Sequence, residues 1–245
     1  MPDSIHLAAL TTIELGALLA GGAMIALVPV GSTEPHGPHL GLGTDVTISV
    51  AACARAVALL AERGVTARVA PAIPYGVTDC ATGFAGAVSV PAAILTAYLG
   101  AVCDGLLAQG FAQVCLVNNH LEPDHDRAVR AAAADRPQVT VACPLTRRWA
   151  RTLSAEFKSG ACHAGRYETS IVLAAEPALV DDAVRAQLPP VPISLSEQLT
   201  AGVTTFAAMG MERAYAGDPA AATADEGRDQ LERLAAMVVG EVTRT

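Results

Sequence analysis

Histidines and carboxylates gather in three short segments of this 245-residue chain. Five of its six histidines lie in these segments, and each segment also carries a carboxylate. Imidazole nitrogens and carboxylate oxygens suit Zn²⁺, Mn²⁺ or Fe²⁺, and a histidine can also move protons near neutral pH. The pattern predicts a divalent-metal site, and the groups are numerous enough for two ions.

The first segment, residues 28–45, reads VPVGSTEPHGPHLGLGTD and follows an apolar run. Its glycines and prolines let the backbone turn sharply, so that Glu34, His36 and Asp45 can converge. Asp45 lies where a helix is expected to begin, and from there it could bridge two ions. The alternative is that Asp45 only caps this helix and that His36 is an ordinary loop residue.

The second segment, residues 117–125, reads VNNHLEPDH and again follows an apolar run. His120 and Glu122 are two residues apart, which places them on the same side of an extended chain. They can therefore reach one metal centre. The alternative is that Glu122 and Asp124 are first-turn carboxylates that interact favourably with the dipole of the next helix.

The third segment, residues 162–170, reads CHAGRYETS. His163 lies in a glycine-containing loop, which suits a mobile general acid or base. Glu168 follows in the next helix, where the alternative is an ordinary helix-start residue. Cys162 is disfavoured as a nucleophile activated by His163, because adjacent residues in a chain seldom point at each other.

The chemistry that these groups predict is hydrolysis. Between two ions, a bridging hydroxide can attack an electrophilic carbon, and His163 can pass a proton to the leaving nitrogen. The sequence contains no Gly-x-Ser-x-Gly elbow, no Walker A loop and no Gly-x-Gly-x-x-Gly turn, so other common catalytic frameworks fit less well.

The elements that must position these residues form an α/β pattern. Short apolar runs alternate with longer helical patterns, which is typical of a mostly parallel sheet covered by helices on both faces. We predict one domain over residues 1–245, with the metal segments at the carboxyl ends of strands and loops over 177–222. Strands are predicted near 24–30, 66–72, 112–118 and 138–143, and helices near 11–20, 46–63, 91–109, 124–135, 166–176 and 223–242.

Composition excludes several classes of function. A net charge of −8 with a single lysine argues against a nucleic-acid surface, so small molecules and copies of the same chain are the expected partners. Charged residues, Gly and Pro interrupt the apolar runs, so no membrane span is expected. The N-terminus lacks a secretion signal and the six cysteines form no CxxC pair, which predicts a cytoplasmic protein.

The three segments together resemble the creatininase (creatinine amidohydrolase) family, and the resemblance continues in AGDPAAATADEGRDQL near the C-terminus. It implies a three-layer α/β/α fold, two divalent ions (Zn²⁺, Mn²⁺ or Fe²⁺), hydrolysis of a carbon–nitrogen bond and a homohexamer. It also implies that Asp45 bridges the ions and that His163 handles protons at the scissile nitrogen. The implied metal ligands are Glu34, His36, Asp45, His120 and Glu122, with Glu122 also implied in catalysis.

The sequence departs from this family where the substrate binds. Members that hydrolyse creatinine carry an aromatic residue after the metal-binding histidine, whereas Leu121 follows His120 here. They also carry tryptophans on a closing loop, whereas Ser159 lies four residues before His163 and Trp149 is the only tryptophan. We therefore expect Leu121 to contact another small amide, lactam, formamide or cyclic amidine.

Other functions stay open. The motif HAGRYETS, with Arg166, resembles a branch of the family that trims a peptide-derived cofactor precursor. In that case Arg166 could bind a substrate carboxylate. The alternative is that Arg166 is a surface residue at a helix start. A metal- or ligand-binding member without turnover and a scaffold subunit are further alternatives. We expect Glu168, His39 and His125 to lie next to the metal ligands without binding the ions themselves. For Glu168, direct binding to an ion is also possible.

Overall fold

Four parallel strands form the centre of the protein. The computed structural model describes residues 4–244. The prediction that the N-terminus lacks a secretion signal partly concerns residues 1–3, which lie outside the described residues. The sheet has the order β2-β1-β3-β4, and every neighbouring pair is parallel. The strands are β1 (Met24–Val30), β2 (Thr66–Val69), β3 (Gln113–Asn118) and β4 (Val139–Ala142).

Helices surround this sheet, and their starts follow local sequence signals. Thr11 and Glu14 form the capping box that opens the first helix, and Pro123 occupies the first turn of the fourth. The helices are α1 (Thr12–Ala20), α2 (Thr44–Ala61), α3 (Ala92–Ala108), α4 (Pro123–Ala133), α5 (Arg147–Ala150), α6 (Ala155–Ser159), α7 (Arg166–Ala175), α8 (Asp182–Arg185), α9 (Leu195–Thr200) and α10 (Ala224–Val242). The region 177–222, predicted as loops, also contains the short helices α8 and α9.

The two faces of the sheet are covered by different helices. Leu27 of β1 lies in one apolar core with Leu60 of α2 and Leu234 of α10. Ala26, the next residue along β1, lies in the other core with Leu95 of α3. Because successive strand residues face opposite sides, one buried strand supplies both cores. The arrangement confirms the predicted three-layer α/β/α fold.

Helix α2 is long and apolar, and it begins at the first metal segment. By length and composition alone, Thr44–Ala61 could cross a membrane, although no membrane span was expected from the sequence. Half of this helix is buried inside the structure, as is common for the core helix of a folded domain. Its N-terminal turn carries Asp45.

The order of the strands creates a crevice at their carboxyl ends. From β1 the chain continues to β2 on one side, and β3 then adds on the other side of β1. At such a switch point the loops that leave the two strands diverge, and ligands bind between them. Gly31 ends β1 against α2, where an added Cβ would lie only 2.7 Å from Val46 N, so glycine permits this close approach.

Candidate metal centre

Ligand-type side chains from all three segments meet in this crevice. The segment after β1 approaches the segment after β3, since Val30 pairs with Asn118 at the ends of the two strands. The side chains form three groups whose ligand atoms lie within 4.8 Å of one another. The groups are Glu34–His36–His163, Glu34–His120–Glu122 and His36–Asp45–Glu168, and all seven residues are buried.

Asp45 lies between two of the histidines. Its Oδ1 is 3.1 Å from His36 Nε2, and its Oδ2 is 3.0 Å from His120 Nδ1. Despite this short distance Oδ2 has no hydrogen-bond partner, so it is a buried acceptor that a cation could satisfy. One carboxylate thus presents an oxygen to each of two neighbouring histidines, as a bridging ligand would.

Each of the three central histidines uses one ring nitrogen to contact a backbone carbonyl. Because a carbonyl can only accept, the bonded nitrogen carries a proton and the other nitrogen faces the carboxylates. Metal-binding histidines are oriented in this way. The bonds run from His36 Nδ1 to Glu34 O (3.1 Å), from His120 Nε2 to Val77 O (2.7 Å) and from His163 Nε2 to Pro35 O (3.0 Å).

The electrostatics also fit bound cations. Burial by itself would lower the pKa of His36, but Asp45, Glu168 and Glu34 outweigh it and raise this pKa to about 10. Burial is likewise outweighed at His120, whose pKa rises well above its ordinary value beside Glu34 and Asp45. Protons on these imidazoles therefore balance the buried carboxylates, and metal ions would take the place of those protons.

The carboxylates respond in opposite directions. Burial would raise the pKa of Glu34, but the neighbouring His120 outweighs it and the pKa falls to about 2. At Glu168 burial dominates and raises the pKa to about 8, although His36 opposes this. The centre thus combines carboxylates that ionise readily with one whose ionisation requires additional positive charge.

Glu168 lies closer to the ligand atoms than its position in the sequence indicates. Its Oε2 is 3.7 Å from His36 Nε2 and accepts a hydrogen bond from Ala164 N at 2.7 Å. An ordinary helix-start residue would be solvent-exposed, whereas only 3% of Glu168 is exposed. The first turn of α7 therefore delivers a buried carboxylate to the His36 side.

His39 and His125 are buried but belong to none of the three groups. His39 Nε2 lies 2.9 Å from Thr169 Oγ1, and His125 Nδ1 accepts a hydrogen bond from Val77 N at 3.2 Å. Burial lowers the pKa of His39 to about 4 and that of His125 to about 3. Both histidines are therefore neutral at pH 7. Each contacts a residue beside the centre, Thr169 for His39 and Val77 for His125.

The segment after β2 completes the centre, although the sequence did not predict it. Thr78 Oγ1 donates to Glu34 Oε2, while Asp79 N and Cys80 N donate to the two oxygens of Glu122 at 3.0 and 3.1 Å. One sequence signal could have indicated it. The polar pair Thr78-Asp79 follows a strand at the same edge of the sheet as the recognised segments.

A cavity of about 550 Å³ opens over the ligands. His163 lies in its wall, with its ring centroid 4.4 Å from that of Phe206, an aromatic contact that the sequence analysis did not predict. Lys158 and Arg127 also line the cavity and are exposed, so they belong to its rim. The apolar lining consists mainly of Leu121, Leu145, Phe157, Leu195, Leu199 and Phe206.

Arg166 does not line this cavity, in contrast to the predicted contact with substrate. Its guanidinium pairs with Glu226 of α10, which already satisfies the positive charge. Cys162 does line the cavity. Burial and the nearby Glu168 raise the pKa of its thiol above the ordinary value, which disfavours the thiolate needed for nucleophilic attack.

Comparisons with known proteins agree with this geometry. The creatininase family model, described as creatinine amidohydrolase, matches residues 8–242. A mycofactocin precursor peptide peptidase from Mycolicibacterium smegmatis is 34% identical over 210 residues, 83% of this chain and 78% of that protein. A creatinine amidohydrolase from Pseudomonas putida is 29% identical over 201 residues, 74% of this chain and 75% of that protein.

Solved structures share the fold. One described as "Creatininase Mn" has a TM-score of 0.72 at 23% identity and covers 97% of both chains. A mutant creatininase of the "Zn-Zn type" has a TM-score of 0.71 at 22% identity, over 97% of this chain and 96% of that chain. At these identities the structural likeness concerns the fold alone.

Proposed function

The chain belongs to the creatininase family and is a hydrolase of carbon–nitrogen bonds, and on that premise we propose that it cleaves an amide bond with two divalent ions. The observation that carries this proposal is the shared orientation of three histidines, each with one nitrogen on a carbonyl and the other toward carboxylates. Relatives described as Mn and Zn-Zn forms support manganese or zinc. Fe²⁺ suits the same ligands.

We assign the ligands by their grouping. His36, Asp45 and Glu168 would hold the first ion, and Glu34, His120 and Glu122 would hold the second. Asp45 also faces His120 and would bridge the two ions. When bound, such ions supply Lewis acidity and make water a stronger nucleophile at neutral pH.

His163 would manage the protons of the reaction. Burial and the nearby His36 lower its pKa to about 4, so the ring is neutral at pH 7. Nε2 donates to Pro35 O, which leaves Nδ1 free. We infer that Nδ1 accepts a proton as water adds to the carbonyl carbon, and returns it to nitrogen as the carbon–nitrogen bond breaks.

Glu122 would orient the attacking water. Its two oxygens are fixed by backbone N–H groups, and each keeps another lone pair that can accept a hydrogen bond. Burial raises the pKa of Glu122, which makes it a stronger base than an exposed carboxylate. The apolar walls of the cavity limit the access of other waters.

Metal analysis combined with a substrate panel tests the proposal. We expect two equivalents of a transition metal in supplemented protein, and reversible loss of hydrolysis on chelation. The panel comprises creatinine, formamides, lactams and short peptides. Less than one tightly bound equivalent after supplementation would contradict a metal-dependent hydrolase.

Trimming of a peptide precursor is a second candidate function. The cavity of about 550 Å³ has apolar walls suited to a hydrophobic side chain, and Lys158, the only lysine, stands at its rim. Within residues 4–244, Lys158 forms no ion pair, so its ammonium is available for a peptide carboxylate. The mycofactocin precursor peptide peptidase relative supports the same substrate class.

Matched peptides test this candidate. Lys158→Met should raise KM about tenfold for peptides with a free C-terminal carboxylate, because one charge-assisted contact is lost. The KM for peptides with a C-terminal amide should stay unchanged. Lys158→Arg keeps the charge and serves as the control. Equal changes in KM for acids and amides would contradict carboxylate recognition by Lys158.

The homohexamer and the cytoplasmic location stay predictions, as does the expected contact of Leu121 with substrate. Leu121 does line the cavity. Native mass spectrometry of the purified chain measures the assembly directly, and a monomer at micromolar concentration would contradict the hexamer.

A further inference from the structure

Residues 76–80 form a short segment that we call the ligand strap. Among the assigned metal ligands, its hydrogen bonds reach only those of the second ion. No hydrogen bond within the described residues joins it to His36, Asp45 or Glu168. Its bonds are Val77 O with His120 Nε2 (2.7 Å), Thr78 Oγ1 with Glu34 Oε2, Asp79 N with Glu122 Oε1 (3.0 Å) and Cys80 N with Glu122 Oε2 (3.1 Å).

His125 anchors the ligand strap from the opposite side. Val77 N donates to His125 Nδ1 at 3.2 Å, so the N–H and C=O groups of Val77 are bound by His125 and His120 respectively. The two rings lie 4.6 Å apart and nearly perpendicular, with His125 fully buried. An added Cβ on Gly76 would lie 2.3 Å from His125 Nδ1, so glycine allows the ring to pack there.

The first ion's ligands are supported separately. His36 is oriented by the carbonyl of Glu34 within its own loop, and Glu168 accepts the N–H of Ala164. Neither contact involves the ligand strap. A change in the strap therefore acts directly on Glu34, His120 and Glu122. It reaches His36 only through the Glu34 carboxylate, whose Oε1 lies 3.8 Å from His36 Nε2.

We propose that the ligand strap and His125 set the affinity of the second ion independently of the first, with Thr78 and His125 as positioning residues. This inference rests on the proposed two-ion function. The hydroxyl of Thr78 fixes one carboxylate, and His125 fixes the peptide whose carbonyl orients His120. Loss of such outer contacts typically weakens metal binding about 10–100-fold.

The test is calorimetric titration of metal-free protein with Zn²⁺. Thr78→Val keeps the shape of the side chain but removes its hydroxyl, so one of two binding events should weaken about 10–100-fold while the other changes less than twofold. Thr78→Ser keeps the hydroxyl and should retain both affinities. The readout is metal affinity, so it does not depend on a known substrate.

His125 provides a second pair of variants. His125→Leu removes the acceptor for Val77 N and should weaken the same binding event as Thr78→Val. His125→Asn places a polar atom near the position of Nδ1 and should restore most of that affinity. This pair also decides the matter if Thr78→Val does not fold, as judged by its thermal unfolding.

The possible failures are distinguishable. Wild-type protein that binds fewer than two ions overturns the two-ion function and with it this inference. Wild-type protein with two ions and unchanged affinities in Thr78→Val and His125→Leu overturns the strap alone. Equal weakening of both ions, or the same loss in Thr78→Ser, also overturns selective positioning through the hydroxyl.

Discussion

The two halves of the metal centre are held together over very different distances along the chain. On the His36 side, the supporting carbonyl is two residues away, and the N–H that binds Glu168 is four residues away. On the His120 side, the supporting carbonyl belongs to Val77, 43 residues away, and the Thr78 hydroxyl reaches Glu34 across 44 residues.

The difference shows that similar ligand sets depend on different parts of the fold. The His36 half needs one loop and the first turn of α7. The His120 half exists only when β2 and β3 have both packed against β1, because its supports follow β2, while its ligands follow β1 (Glu34) and β3 (His120 and Glu122). Non-local contacts require closure of long loops, so this half is more sensitive to changes elsewhere in the sheet.

Substitution of Asp45 should affect both halves of the metal centre, because its carboxylate faces His36 and His120. Asp45→Asn keeps the shape and removes the charge, so we expect loss of both ions and a fall in activity of about 10³-fold or more. Metal analysis and hydrolysis rates check this. Asp104→Asn, at a surface ion pair with Arg136, is the control. Retention of one tight ion would contradict a bridging role.

Substitution of His163 should lower the rate of hydrolysis without changing metal binding in either half. His163→Ala should retain two ions and lower kcat about 10²–10⁴-fold, because the proton carrier is lost while the assigned ligands remain. Single-turnover rates at saturating metal provide the measurement. Full activity on the true substrate would exclude His163 as the proton carrier.

A pair of glutamate variants should distinguish the halves directly. Glu168→Gln should weaken the first ion and Glu122→Gln the second, each by about 100-fold or more, because a direct ligand should contribute at least as much as the outer contacts that typically contribute about 10–100-fold. Combining each with Thr78→Val identifies which ion is affected, since Glu122 and Thr78 act on the same one. If both glutamate variants weaken the same ion, the proposed division is wrong.

The pH dependence of the metal-free protein should give the smallest effect. The pKa of His36 is raised to about 10 from an ordinary 6.5, so its stabilisation is complete below 6.5 and is lost as pH rises toward 10. The contribution of His36 to the free energy of unfolding should fall by about 1 kcal/mol per pH unit over this window. Metal affinity should rise instead, because binding displaces that proton.

Urea unfolding in chelator at pH 7, 8 and 9 measures this slope. His36→Gln should remove the part of the slope that His36 contributes, while His120, whose pKa is also raised, keeps its own part. This variant provides the matched control. A stability that increases over the same range would contradict the assigned protonation of His36. Zn²⁺ titration at the same pH values checks the opposite trend in affinity.

Much of the fold was predictable because its signals are local. The apolar run at 24–30 predicted β1 with its observed bounds, and the pattern at 166–176 predicted α7 to within one residue. The order of strands was not predictable, since pairing depends on contacts between distant segments. The crevice between β1 and β3 therefore emerged only from the structure.

The candidate site divides along a similar line. Histidines and carboxylates are recognisable by type, and the structure brings the predicted ligand-type residues together. The ligand strap acts mainly through backbone groups that every residue carries, so composition gave little sign of it. The pairing of Arg166 was not predictable from the sequence, because its partner, Glu226, lies 60 residues further along the chain.

Phe206 lines the cavity and also contacts the ligand strap, which supports a ligand of the second ion. Phe206 N donates to Cys80 O at 2.8 Å, and both residues lie in one apolar cluster while Phe206 also stacks on His163. Outward motion of this wall would break a bond to the strap that supports Glu122. Because Phe206 contacts both His163 and the strap, we expect variants that exchange the second ion slowly to release product slowly as well.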